Sequence, residues 1–128
     1  MTRKQAVRTS RAPAAIGPYS QAITVGDQVF CSGQIAIDPA PGEIADGIEA
    51  QTEQVLRNLG EVLRAAGCGF EDVVKTGVYL TDMGEFPRMN AIYERFFRAP
   101  APARATVEVS GLPKGVVVEI DAIAIRSR

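Results

Sequence analysis

The sequence predicts an α+β fold, with elements in the order β-β-β-α-β-α-β-β. Three observations predict it. Short β-branched runs with strand-like alternation lie towards both ends of the chain, residues 48–66 carry apolar side chains at helical spacing, and an aromatic-rich helical segment at 86–97 sits between two strand-like stretches. The 128 residues fit one domain, 1–128. Apolar residues make up 46% of them, enough for a globular core and too many for a disordered chain.

Each element has its own signal. Residues 4–9 read as a short first strand, and 10–19, with Pro13, Gly17 and Pro18, as an ordered loop. Residues 19–25, the turn Gly26-Asp27 and residues 28–32 read as a hairpin. Pro39, Pro41, Gly42 and Gly47 mark 38–47 as loop. In the first helix Ile48, Val55, Leu56, Leu59, Val62, Leu63 and Ala66 share one face, and Gly67 stands where a C-terminal glycine cap belongs. Gly60, inside that helix, costs about 1 kcal/mol relative to alanine, which predicts close packing against a neighbour. Residues 73–80 form a β-branched strand. Asp82 and Glu85 have the spacing of a capping box, and a second helix follows with Phe86, Met89, Tyr93, Phe96 and Phe97 as its apolar stripe. Residues 98–103 form a Pro/Ala loop, and strands follow at 104–109 and 116–125.

Composition excludes several function classes. The net charge is −1 and there is no run of Lys or Arg, so neither nucleic acid nor an acidic membrane surface is an expected partner. No apolar stretch approaches the length of a membrane span. Cys31 and Cys68 lack CxxC spacing and read as small buried hydrophobes; with no histidine in the chain, histidine-based triads and the commonest metal ligand are absent. No metal and no cofactor are expected. The N-terminal residues are basic but lack the apolar core of a secretion signal, so a cytoplasmic protein is expected.

The last strand is unusual. Val118, Ile120, Ala122 and Ala124 point to one side, and Val117, Glu119, Asp121, Ile123 and Ile125 to the other, so both sides are largely apolar. Two helices cover only one face of a sheet of five or six strands. The second face calls for another cover, which predicts an oligomer. Glu119 is then a carboxylate in a buried setting, where a charge is costly unless paired or used. Arg104, at the start of the preceding strand, is its obvious candidate partner; a plain structural ion pair is the alternative.

The segment Pro102-Ala103-Arg104-Ala105-Thr106-Val107-Glu108-Val109-Ser110-Gly111-Leu112-Pro113, followed by Val118-Glu119-Ile120, resembles the signature of the RidA family, once called YjgF. Three further blocks agree in order and spacing: Ala14-Ala15-Ile16-Gly17-Pro18-Tyr19-Ser20-Gln21, Ser32-Gly33-Gln34-Ile35, and Met89-Asn90-Ala91-Ile92-Tyr93-Glu94-Arg95-Phe96-Phe97. The resemblance implies a chorismate-mutase-like fold with both helices on one face of a mixed sheet. It also implies a homotrimer with active sites at the subunit interfaces. The implied activity is hydrolysis of 2-imino and enamine acids, such as 2-iminobutanoate and 2-iminopropanoate, without a cofactor. By motif position Arg104 binds the substrate carboxylate, Glu119 handles the water, and Tyr19, Ser32, Gly33 and Asn90 line the pocket. Thr106 stands where many members have a cysteine whose backbone carbonyl contacts the site. Loop 98–103 is shorter than in typical members and lacks an aromatic before Pro102, which bears on substrate preference. Two other readings stay open: a keto-acid sensor or chaperone-like trimer, and an endoribonuclease that inhibits translation.

Overall fold

The computed structural model describes residues 3–127. Its strands are β1 (Gln5–Val7), β2 (Ala22–Val25), β3 (Gln28–Gln34), β4 (Val73–Leu80), β5 (Ala103–Glu108) and β6 (Val118–Ile125). The helices are α1 (Ile48–Ala65) and α2 (Phe86–Tyr93). All six strands join one mixed sheet in the order β1-β2-β3-β6-β4-β5. Every pairing is antiparallel except β4 with β5, which run parallel because α2 carries the chain back across the sheet between them.

Alternation along the strands sorts the side chains. Val29, Cys31, Val78, Leu80, Val118, Ile120, Ala122 and Ala124 lie on one face and are buried. They pack with Val55, Leu56, Leu59, Val62 and Leu63 of α1 in a single core. Polar residues on the buried side of α1 anchor the helix to the sheet. Asn58 donates to the carbonyls of Ile35 and Ile37 at 3.0 and 2.9 Å, and Gln51 donates to Ala45 O while accepting from Val117 N at 2.9 Å. These bonds satisfy backbone groups of the loop after β3 and, at Val117, of the entry to β6.

The opposite face of the sheet is apolar and uncovered. Phe30, Val74, Val107 and Ile125 are each 41–48% exposed there, alongside half-buried Ile23 and Ile123; Val117, just before β6, packs against the core instead. The expected bare face is present.

Several boundaries differ from the sequence reading. Tyr19 lies in the loop, because β2 starts only at Ala22. Asp82 caps a short 3-10 turn at Met83–Glu85 by accepting from Gly84 N at 2.8 Å, while Glu85 turns to Arg88. No reciprocal capping box forms, because the extra turn displaces the start of α2 to Phe86. Phe96 and Phe97 lie beyond the end of α2 yet stay in the aromatic cluster: Phe70 meets both edge-on, at 5.5 and 5.3 Å. Phe70 is also what approaches Gly60, where a Cβ would come within 2.9 Å of its ring.

The end of α1 follows its sequence signal. Gly67 has φ +85°, its N–H donates to Arg64 O, and Cys68 N donates to Leu63 O, both at 3.0 Å; this pattern satisfies the last helical carbonyls. Gly67→Ala places a Cβ in the left-handed region and is expected to lower stability by about 1–2 kcal/mol, read as a fall in the urea midpoint at unchanged slope.

Candidate functional site

The candidate residues fall into two groups. The first gathers around a bulge in β3. Cys31 pairs with Ala122 and Gln34 with Ile120, so Ser32 and Gly33 together oppose Asp121. A bulge re-aims side chains and opens the ladder locally. Ser32 is held at both ends: its N–H donates to Gln21 O at 3.0 Å, and its hydroxyl donates to Ser20 O at 2.6 Å. Those bonds fasten the loop that presents Tyr19, which is 53% exposed. The Tyr19 N–H donates to Gly17 O at 2.9 Å, and its hydroxyl accepts from Ile16 N at 3.4 Å.

Gly33 makes room for Glu119. A Cβ on Gly33 would lie 1.9 Å from Glu119 Oε2 and 2.8 Å from its Cδ. Glu119 projects from the uncovered face of β6 in register with Tyr79 of β4. The carboxyl is half-buried, and no hydrogen bond or ion pair to it is found among the described residues. Loss of solvent, and secondly the nearby Asp121 carboxylate, push its pKa above the ordinary 4.5. It is therefore poised closer to neutrality than a surface glutamate.

The second group belongs to the helix-covered face. Arg104 lies on the edge strand β5 in register with buried Thr76. Its Nη1 donates to Asn90 Oδ1 at 2.8 Å. The guanidinium carbon sits 4.7 Å from the centre of the Tyr93 ring and 5.3 Å from that of Phe86. Tyr93 is held in turn by a 2.8 Å bond between its hydroxyl and Thr76 Oγ1. Two aromatic faces and one amide thus orient a charged fork, and the bond to Asn90 uses only one of its five N–H donors. A cleft of about 390 Å³ opens beside it, between Tyr93, Phe97, Pro102 and Arg104. Thr106 follows on the same face, with its Oγ1 buried and without a hydrogen-bond partner among the described residues.

The expected contact between Arg104 and Glu119 does not form within the chain. Arg104 shares the face of Thr76 and Ala122, whereas Glu119 shares that of Tyr79 and Gly77. The sheet lies between them, because residues of odd and even position in these registers point to opposite sides. Ser32, Gly33 and Glu119, with the loop carrying Tyr19, thus make one candidate group, and Asn90, Arg104 and Thr106 make the other. Sequence reasoning placed Phe86 and Tyr93 in the core alone. Their spacing from Asn90, four residues before and three after, was the available sign that they share its helix face. It also passed over Tyr79 and gave Asp121 no role.

The sequence model of the Endoribonuclease L-PSP family, also known as the YjgF/RidA family, matches residues 9–126. The chain belongs to this family. Among its relatives, the 2-iminobutanoate/2-iminopropanoate deaminase of Mus musculus is 48% identical over 124 residues, covering 96% of this chain and 92% of that protein. The deaminase of the same name from Homo sapiens is 46% identical over 124 residues, covering 96% and 90%. RidA-family members of known structure superpose closely. RidA from a Psychrobacter species gives a TM-score of 0.92 at 46% identity, covering 94% of this chain and 98% of that one. E. coli TdcF, crystallised with bound serine, gives 0.93 at 42%, covering 96% and 99%.

The raised Glu119 carboxyl sets a pH dependence. Between the ordinary value and the raised one, the folded state holds a proton that the unfolded state has released. Stability is therefore present in full at low pH and declines as pH rises through the folded value. Glu119→Gln removes the ionisation, so it is expected to raise Tm relative to the parent at neutral pH while matching it near about pH 4, where both side chains are uncharged. Thermal melts at the two pH values check this.

Proposed function

We propose that this protein hydrolyses 2-imino and enamine acids, such as 2-iminobutanoate and 2-iminopropanoate, to 2-keto acids and ammonia, in a site completed by a second copy of the chain. One observation carries the reading: the oriented guanidinium of Arg104 and the unpartnered carboxyl of Glu119 lie on opposite faces of the same sheet. Neither half can act on one small molecule alone. Docking the edge of one copy against the bare face of another brings the two groups together and covers the exposed apolar side chains at the same time. A contact between unlike surfaces repeats head to tail until it closes, and three copies make the smallest such ring. We take the homotrimer that the family resemblance implies, with three sites at its subunit interfaces. The relatives named as deaminases support the chemistry, and no cofactor is required for it.

In this reading Arg104 grips the substrate carboxylate through parallel charge-assisted bonds, which orient the adjacent C=N carbon. Asn90, Tyr93 and Phe86 hold the fork in that pose. Glu119 takes a proton from the water that attacks the imine carbon and passes it to the nitrogen, giving a neutral carbinolamine. It then takes the hydroxyl proton of that adduct and passes it to the nitrogen as the C–N bond breaks, so that ammonia leaves and the carbonyl forms. A carboxyl poised towards neutrality is suited to both transfers. Gly33 gives it space, Tyr19 and Ser32 shape the loop above it, and the Thr106 backbone lines the arginine side. An RNA substrate fits less well, because the net charge of −1 supplies no attraction for phosphates.

The test couples a threonine dehydratase to the protein and follows the imine with a trapping agent. Added protein is expected to speed keto-acid formation; imine decay that ignores the protein points instead to ligand sensing. Arg104→Ala is expected to abolish the acceleration, and an unimpaired rate in that variant rejects the assignment. Glu119→Gln is expected to lower kcat by about 10²–10⁴-fold. Mixing the two inactive variants through unfolding and reassembly is expected to restore about a quarter of parental activity, since random pairing across an interface of this kind gives that share of sites both native groups.

A further inference from the structure

The uncovered face of β6 carries a second carboxylate that the proposed chemistry leaves without a task. Asp121 is two residues from Glu119 on the same side of the strand, in register with Gly77 of β4. Unlike Glu119, it is gripped at both oxygens: Oδ1 accepts from Gly77 N at 2.9 Å, and Oδ2 accepts from the Tyr79 hydroxyl at 2.9 Å. Space for that grip is built in, because a Cβ on Gly77 would lie 2.6 Å from Asp121 Oδ1 and 2.9 Å from the Tyr79 hydroxyl oxygen. Tyr79 stands in register with Glu119 but spends its hydroxyl on Asp121.

We propose that Asp121 is a positioning residue for the proposed deamination, a fixed negative charge that sets how readily Glu119 carries a proton. The proposal rests on the functional reading above and goes further by naming what tunes its acid–base group. Two bonded donors hold the Asp121 carboxylate in place. A fixed anion on the same face disfavours a second charge beside it, and burial of Glu119 works in the same direction. Tyr79 remains a hydrogen-bond donor throughout, because the bond to Asp121, followed by burial and the neighbouring carboxylates, raises its pKa.

The surroundings leave little to oppose this effect. On β4 the residues facing the same way are Gly77, Tyr79 and the exposed Lys75, which pairs with Ile123 further along β6. On β3 the bulge presents Ser32 and Gly33, and β5 contributes Ala103, Ala105 and Val107 to this face. The proposed assembly brings the arginine of a second copy to this carboxyl. That guanidinium favours ionised Glu119, so an opposing fixed anion is what keeps the carboxyl exchanging protons in the working site.

Asp121→Asn tests the idea with little disturbance. The amide oxygen still accepts from Gly77 N, and the amide nitrogen donates to the Tyr79 oxygen, so the charge disappears while both bonds remain. Carbon-13 NMR of side-chain-labelled glutamate, followed against pH in the assembled protein, reads Glu119 directly, with Glu119→Gln assigning its resonance. The expected result is a downward shift of the Glu119 titration in Asp121→Asn. A parallel downward shift of the acidic limb of the kcat profile and a loss of about 3- to 10-fold in kcat at neutral pH should accompany it, with KM little changed. Asp121→Glu keeps the charge and is expected to recover most of both shifts. An unmoved Glu119 titration in Asp121→Asn overturns the proposal even if the enzyme deaminates imines. A shifted titration in a protein without deaminase activity instead leaves the electrostatic coupling intact and removes the functional reading beneath it.

Discussion

Strand β6 carries both a row of core side chains and the two candidate carboxylates, and its two-residue alternation is the constraint on which the other features depend. Val118, Ile120, Ala122 and Ala124 are at most 3% exposed and face the helices. Glu119 and Asp121 face the other way from the middle of the sheet, with β3 on one side and β4 on the other. Each neighbour contributes a glycine at the point where a carboxylate needs space: Gly33 beside Glu119 and Gly77 beside Asp121. A side chain at either glycine would occupy the volume of a carboxylate oxygen. Burial of the apolar row thus commits the two acids to the opposite surface, and the glycines let them lie close to the sheet.

The arginine half is built by different means. β5 is an edge strand, and its pairing with β4 is the one parallel pairing among the described strands, a consequence of the α2 crossover. The crossover lays α2 over β5, so Phe86, Asn90 and Tyr93 meet Arg104 from one helical face. An arginine on an edge strand would ordinarily swing into solvent. Stacking on two rings and a bond to one amide limit that freedom, which reduces the entropy lost when a ligand binds. The aromatic cluster therefore serves two neighbours: Phe97 and Phe70 close the core, while Tyr93 touches both the core and the guanidinium.

The separation of the halves gives the bare apolar face a purpose. Glu119 is a half-buried acid without a hydrogen-bond or ion-pair partner among the described residues, on a surface where Phe30, Val74, Val107 and Ile125 remain exposed. In the proposed assembly, covering that surface with another copy would bury the apolar groups and deepen the desolvation of the acid. Assembly and the proposed reactivity would then share one driving force, the removal of water from this face.

The amino-acid order by itself determined the α+β class, the limits of α1 with its glycine cap, the two-sided character of β6 and the need for a cover on its outer face. These properties come from periodicity and local backbone preference, which depend on residues a few positions apart. It also singled out Arg104, Glu119, Tyr19, Ser32, Gly33, Asn90 and Thr106, through blocks shared with a family. Which of them meet was decided only by the tertiary structure. Strand order and register set the face on which a side chain emerges, and those depend on pairings between distant segments: β6 lies between β3 and β4, and β5 pairs with β4. That order separated Arg104 from Glu119, moved Tyr93 from a purely core role to a platform for the arginine, and brought Tyr79 and Gly77 of one strand onto Asp121 of another. Two residues that look like an ion pair along the chain became halves facing opposite ways, because a sheet has two sides and only register assigns them.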